Sequence, residues 1–173
     1  MKTLHLLRHA KSSWKDQALN DHERPLNKRG RKTAKLLGAY LRQAKIRPDL
    51  VVCSSAVRAR ETLAPISKKI KLPKVVLEKG IYEVPEQKLW KRIRALPENA
   101  ESVLLIGHNP ALHELALALA DAGLRAHSPS LEAKFPTGAI ATFHFEGAWK
   151  ELRPNGAILA AFTTPKDIAH RGC

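Results

Sequence analysis

Apolar and polar positions along the chain alternate between two patterns. Short, nearly unbroken apolar runs at Thr3–Leu7, Leu50–Cys53, Val75–Leu77 and Ser102–Ile106 predict buried strands. Between them, apolar residues recur at helical spacing. In Asn27–Ala44 the residues Ala34, Leu37, Leu41 and Ala44 share one face and Lys and Arg take the other, with Asn27 placed to cap the start. Ala56–Ile70 and Glu86–Leu96 predict two further helices. A fourth spans Pro110–Ala122, with Asn109 as N-cap, Pro110 in the first helical position and Gly123 at the C-terminal cap. Gly138–Phe145 and Gly156–Phe162 predict two strands joined by the turn Glu146-Gly147-Ala148, and Asp121–Phe135 an irregular segment able to act as a flap over a site.

Strand followed by helix, repeated, predicts an α/β fold: one three-layer α/β/α domain over residues 1–173, with a mostly parallel sheet and helices on both faces. No internal repeat and no linker divides it. The longest apolar stretches, Leu115–Ala120 and Ala157–Phe162, are far shorter than the ~20 residues that cross a bilayer. No apolar segment of a secretion signal follows the N-terminus, so the expected location is cytoplasmic. The two cysteines support neither a disulfide framework nor a four-ligand zinc site, and Cys53, inside an apolar run, is expected to be a buried thiol. Cys173 is expected to be inert.

The formal charge of +14 is unevenly distributed: residues 1–100 carry 24 basic and 9 acidic side chains, residues 101–173 carry 6 and 7. Arg24–Arg47, read as a basic helix, holds nine Lys or Arg and no acid. Such a field attracts anions, whether phosphoesters, acidic proteins or nucleic acid. With 5% aromatic residues and no nucleic-acid-binding motif, nucleic acid is not the expected partner.

In open α/β sheets ligands bind beyond the carboxyl ends of the strands. Three polar groups fall at such ends: Arg8-His9, Ser54-Ser55-Ala56-Val57-Arg58, and Gly107-His108-Asn109-Pro110, the last opening into a helix. Two histidines and two arginines on one rim suit phosphoryl transfer. A neutral imidazole can take the phosphoryl group, arginine forks match phosphate oxygens, and a second histidine can donate to the transferring group. A carboxylic acid nearby would protonate the leaving group. Taken singly, each residue has a plainer reading: Arg58 pairing with Glu61 on a helix surface, His108 helping a cap, and the remaining histidines structural or solvent-facing. His5 and His9, four apart on a strand, would be ~13 Å apart, too far to share a metal, and no metal is expected.

These residues resemble the histidine phosphatase superfamily. Leu7-Arg8-His9-Ala10 is similar to its Arg-His-Gly signature, Ser54-Ser55-Ala56-Val57-Arg58-Ala59-Arg60-Glu61-Thr62 to its second arginine motif, Gly107-His108-Asn109 to its second-histidine motif, and Leu26-Asn27-Lys28-Arg29-Gly30 to its Leu-Thr-x-x-Gly. Within it, Arg8–Trp14, Arg24–Gly30 and Phe135–Ala139 look like the SixA-type phosphohistidine phosphatases. The resemblance implies a phosphoglycerate mutase-like fold. It implies His9 as nucleophile, Arg8, Arg58 and His108 as phosphate pocket, no cofactor, and phosphohistidine on a protein such as a phosphotransfer domain as substrate. Ala10 stands where the wider superfamily has Gly. Glu83 falls roughly where larger members place their catalytic acid, and both a catalytic and a structural role are open for it. A phosphoramidate leaves as a histidine nitrogen of pKa near ~6.5 and needs little help, so the acid is not essential there. The alternatives are a phosphatase of small phosphoesters by the same mechanism and, from another class, a basic module binding nucleic acid or acidic protein. A monomer is the default expectation.

Overall fold

The computed structural model describes residues 1–120 and 129–172. Six strands form one sheet: β1 (Lys2–Arg8), β2 (Leu50–Ser54), β3 (Val75–Glu78), β4 (Ser102–Gly107), β5 (Ile140–Phe145) and β6 (Ile158–Thr163). Their spatial order is β3-β2-β4-β1-β5-β6. The β3–β2, β2–β4 and β4–β1 pairings are parallel, and β5 alone runs against its neighbours β1 and β6. The mostly parallel α/β sheet expected from the sequence is therefore present.

Helices α1 (Lys28–Gln43) and α2 (Val57–Ser67) cover one face, joined near the C-terminus by α6 (Pro165–His170). Helices α3 (Glu86–Arg94) and α4 (Ala111–Leu119), with the short α5 (Pro129–Ala133), cover the other. The apolar runs are continuous because both faces are buried: Leu4, Leu6, Val103 and Leu105 pack against Leu89, Ile93, Leu112 and Leu115, while Leu7, Val51, Leu104 and Ile106 pack against Leu37, Leu41 and Ile66. Among the described residues, no helix is long and apolar enough to cross a membrane.

Several sequence expectations are corrected. β3 is not a buried strand. It is the sheet's edge, paired on one side only, and leaves Val75 and Leu77 exposed. The fourth helix begins at Ala111, not at Pro110, and Asn109 does not cap it: the Asn109 amide donates to the Phe135 carbonyl at 3.0 Å instead. That helix ends at Leu119 because Ala120 turns into extended geometry and bridges to Ala157. Gly123 and the first part of the expected flap lie outside the described residues, while Pro129–Ala133 is helical rather than irregular. β5 and β6 pair as expected, but their connection contains a further helical turn at Trp149–Glu151, which buries Trp149. Asn27 does cap α1, its side chain accepting from Gly30 N–H at 2.8 Å.

Two glycines set the fold against the rim where β1 ends. A side chain on Gly30 would lie 2.0 Å from the Lys11 carbonyl oxygen, so the head of α1 seats directly on the loop after His9. Gly138 has φ +76, in the left-handed region that favours glycine, and its N–H donates to the Arg8 and His9 carbonyls at 3.0 and 3.1 Å. The backbone around His9 is thus held from both sides.

Candidate active site

Arg8 closes β1 and His9 follows it, Arg58 lies in the first turn of α2 after β2, and His108 follows β4. All three strands are parallel, so these residues share one rim, around a cleft of about 360 Å³. Glu83 lies at its mouth with its side chain about half exposed. The five residues singled out in the sequence are brought together.

His9 is buried and its Nδ1–H donates to the Ala10 carbonyl at 2.7 Å. That bond leaves the Nε2 lone pair free, and Arg58 Nε donates to it at 3.3 Å. Burial lowers His9 to about 3, helped by the charges of Arg58, Arg8 and Arg24 against the opposing Ala10 bond. The ring is neutral across the physiological range, with a basic Nε2 facing Arg58. Thr62 Oγ1 accepts from Ala10 N–H at 2.9 Å and donates to the Arg58 carbonyl at 2.7 Å, tying the His9 loop to α2.

His108 sits 5.0 Å from His9, ring centre to ring centre. Its Nε2 meets the Ser54 hydroxyl at 2.7 Å. Ser54 Oγ also accepts from Ala56 N–H at 3.3 Å; with the Ser54 proton donated to His108 Nε2, the neutral ring carries its own proton on Nδ1. That Nδ1 is buried with no protein partner, as are Arg8 Nε and Asn109 Oδ1. All three residues line the cleft. In that tautomer two buried donors, Arg8 Nε and His108 Nδ1, lack acceptors at about 1–3 kcal/mol each, and an anion in the cleft relieves that cost. Burial first, then His9, Arg58 and Arg8, lower His108 to about 3, while Asp21 opposes the fall.

Arg58, only 3% exposed, does not pair with Glu61, whose carboxylate instead accepts from Leu26 N–H at 2.6 Å. Its partner is Asp21: Nη2 donates to Oδ2 at 3.0 Å and Nη1 to the Asp21 carbonyl at 2.6 Å. Asp21 Oδ1 also receives Arg24 Nε at 2.9 Å, and Tyr82 donates its hydroxyl to Oδ2. Burial pushes the Asp21 carboxyl up, but the Tyr82 and Arg24 hydrogen bonds and the Arg58 charge hold it well below the usual carboxylate range. Arg24 lies outside α1, so the run read as a basic helix begins in the cleft and becomes helical only at Lys28. Its guanidinium reaches Ser12 Oγ at 2.8 Å and stacks 3.4 Å from the centre of the exposed Trp14 ring.

Glu83 occupies the left-handed region at φ 44 and lies 3.8 Å from Arg58. Burial and the neighbouring Asp21 raise its carboxyl, against the pull of Arg58. His22, expected to be structural or solvent-facing, meets Ser55 Oγ at 2.8 Å and lies edge-on to Tyr82. Sequence reasoning missed Asp21 and Tyr82 and gave Arg24 no role in the site, although Arg24 opens the Arg24–Gly30 segment that resembles the SixA type. Cys53 is a buried thiol as expected, and burial pushes it up to about 12. Among the described residues, no group of three or more His, Cys, Asp or Glu side chains could hold a metal ion.

The family model of the histidine phosphatase superfamily (branch 1) matches residues 4–86. An uncharacterized protein of Mycobacterium tuberculosis is 36% identical over 165 residues, 92% of this chain and 100% of that protein. A candidate phosphohistidine phosphatase SixA from Nakamurella multipartitia is 31% identical in sequence, with a TM-score of 0.80 over 95% of this chain and 96% of that one. Its counterpart from Agrobacterium tumefaciens is 27% identical, with a TM-score of 0.81 over 95% and 98%. Likeness of this extent, in sequence and in fold together, means that the chain belongs to the histidine phosphatase superfamily, branch 1, and is of the SixA type.

Proposed function

We propose that the protein is a phosphohistidine phosphatase that removes the phosphoryl group from a protein histidine through a phospho-His9 intermediate, without a metal. The observation that carries this reading is the His9 ring itself. It is neutral, with Nδ1–H tied to Ala10 and Nε2 turned to Arg58 beside three unpartnered buried polar atoms.

In the first step His9 Nε2 attacks phosphorus, the substrate N–P bond breaks, and its electron pair returns to the departing imidazole. That ring leaves neutral once its other nitrogen is protonated, which solvent supplies at an imidazole pKa near ~6.5. Arg58 Nε exchanges His9 for a phosphoryl oxygen, Arg8 Nε and His108 Nδ1 donate to the other oxygens, and the charge spread over them is met by fixed donors. In the second step water attacks phosphorus, the His9–P bond breaks, and inorganic phosphate and neutral His9 are released.

Two observations favour a protein substrate. The cleft is small and its rim is exposed, with Trp14 at 72% and Glu83 at 54%, and the likeness is to SixA-type structures. A second reading, hydrolysis of small phosphoesters by the same route, is favoured by the raised Glu83 carboxyl beside the pocket, since an alkoxide leaving group needs a proton.

A time course of phosphate release in EDTA tests both. It compares a phosphohistidine protein with p-nitrophenyl phosphate on wild type and on His9→Ala. Release from the phosphohistidine protein that is lost in His9→Ala is the expected result. Release from the ester alone moves the substrate to small esters. No His9-dependent release overturns the reading.

A further inference from the structure

On the outer face of the molecule α1 and α2 lie side by side and leave a groove of about 700 Å³. The helices meet almost backbone to backbone beneath it, where a side chain on Gly38 would come 2.9 Å from the Pro65 carbonyl oxygen. The floor is apolar, from Leu36, Ala39, Ala64 and Pro65. Arg31, Lys32 and Lys35 stand along one edge and Lys68 and Lys69 along the other. The single acid in the lining, Glu61, has its carboxylate engaged by Leu26 N–H.

This arrangement does not serve the helix that carries it. α1 contains no acid, and Lys28 with Lys32, and Arg31 with Lys35, place like charges at i and i+4, where they oppose helix formation. Such a cation row is complementary to an external anion. From Arg31 to Ala39 the groove follows nine residues of helix, a rise of ~12 Å or between two and three turns. It begins beside the cleft: Glu61 is one turn along α2 from Arg58, and Gly30 at the head of α1 rests on Lys11 of the cleft. At its far end Lys69 is shared with a second hollow edged by Arg42, Lys45, Arg47 and Lys71.

We propose that this groove docks an acidic amphipathic helix of the phosphohistidine-bearing protein, apolar stripe down and carboxylates on the two lysine edges. The proposal rests on the phosphohistidine reading above. An apolar floor between cationic edges is complementary to a helix with one apolar and one acidic face. It is a poor match for nucleic acid: a phosphate backbone offers nothing to Leu36 and Ala39, and among the described residues no aromatic side chain lines the groove for a base to stack on.

The test measures binding by fluorescence anisotropy on the full chain, independently of catalysis. The probes are a labelled Asp/Glu-rich amphipathic peptide of about 18 residues with a Leu stripe, a scrambled isomer of equal charge, and a labelled oligouridylate of similar charge. Wild type should bind the amphipathic peptide at least about tenfold tighter than either other probe. The charge reversal K32E/K35E/K68E and the groove-filling A64E should each remove that preference. Ala64 is exposed and Glu is a good helix former, so A64E decides the matter if the triple variant does not fold. Equal binding of the scrambled isomer, preference for oligouridylate, or indifference to both variants overturns the proposal.

A catalytic arm separates the two readings. With phosphohistidine built into the amphipathic peptide, kcat/KM should fall at least about tenfold in the triple variant, while hydrolysis of free phosphoramidate stays within about twofold. Preferential binding without cleavage of either probe supports the groove as an acidic-helix site and overturns the phosphohistidine reading instead.

Discussion

Asp21 and Arg58 form an ion pair at 3.0 Å in which the guanidinium also holds the Asp21 carbonyl, while its third nitrogen donates to His9 Nε2. The pair converts a flexible arginine into a fixed donor. Arg24 and Tyr82 lock the carboxylate from its other sides, so Arg58 presents Nε to the cleft without rearranging. Preorganised donors of this kind stabilise charge as it develops because they need no reorientation during reaction.

Removing the carboxylate charge should therefore damage rate more than fold. Asp21→Asn should lower kcat on a phosphohistidine protein roughly 10- to 100-fold, with a smaller change in KM, because Arg58 loses its fixed direction. The stability cost should be about 1–2 kcal/mol, well below that of a fully buried pair, since Asp21 is 35% exposed and solvent screens part of the interaction. Kinetics and urea denaturation on the same preparations would check this. A loss of stability without loss of rate would reduce Asp21 to a structural role.

The proposed intermediate can be trapped. Rapid acid-free quenching during turnover of a labelled phosphohistidine protein should leave label on the enzyme that is lost in acid and stable in base, as expected of a phosphoramidate. His9→Ala should carry none. His108→Ala should still be labelled, but at a rate reduced roughly 10²- to 10³-fold, because it removes one donor to the phosphoryl group and keeps the nucleophile. Label on His108 rather than His9 would reverse the assignment of the two rings.

Arg8, His9, Arg58 and His108 were legible in the sequence because each lies at or shortly after the carboxyl end of a parallel strand, and parallel strands deliver their ends to one rim whatever the intervening chain does. Asp21, Arg24 and Tyr82 were not. They sit in loops and single helical turns whose positions are set by contacts distant in sequence, such as the Asp21 carbonyl held by Arg58. Asn109 was misread for the same reason: a local rule favours it as a cap, and a partner 26 residues away, the Phe135 carbonyl, claims its amide. The exposure of β3 escaped because an apolar run of three residues reads alike at the centre and at the edge of a sheet.

Buried neutral histidines should give the protein a characteristic acid sensitivity. His9 and His108 are lowered to about 3, and His5, through burial and its neighbour His144, to about 4. Between these values and the unfolded value of ~6.5, the unfolded chain binds protons that the folded chain does not. Stability must then rise with pH across that window and level off above it, each ring contributing up to ~1.4 kcal/mol per pH unit. Unfolding followed from pH 4 to 8 should show this slope. Saturating inorganic phosphate should flatten it, because the bound anion favours protonated His9 and His108. His5 bonds to Thr142 away from the cleft, so its share should remain. A slope of opposite sign would mean that the rings are charged in the folded protein.

Glu83 separates the two substrate readings by its dependence on the leaving group. Its carboxyl is raised by burial and by Asp21, so it retains its proton to higher pH than an ordinary glutamate and can donate to a departing oxygen at the mouth of the cleft. A departing imidazole or p-nitrophenolate draws little on such a donor, whereas an alkoxide depends on it. Glu83→Gln should therefore leave release from phosphohistidine and from p-nitrophenyl phosphate within about threefold of wild type, and lower release from an alkyl phosphate such as glycerol phosphate by roughly 10²-fold. The mutant also removes a charge 3.8 Å from Arg58, which acts on all substrates alike and so cancels in the ratio between them. A uniform loss across the three substrates would assign Glu83 to positioning Arg58. A loss confined to the alkyl ester would identify it as the acid of a step that phosphohistidine does not need.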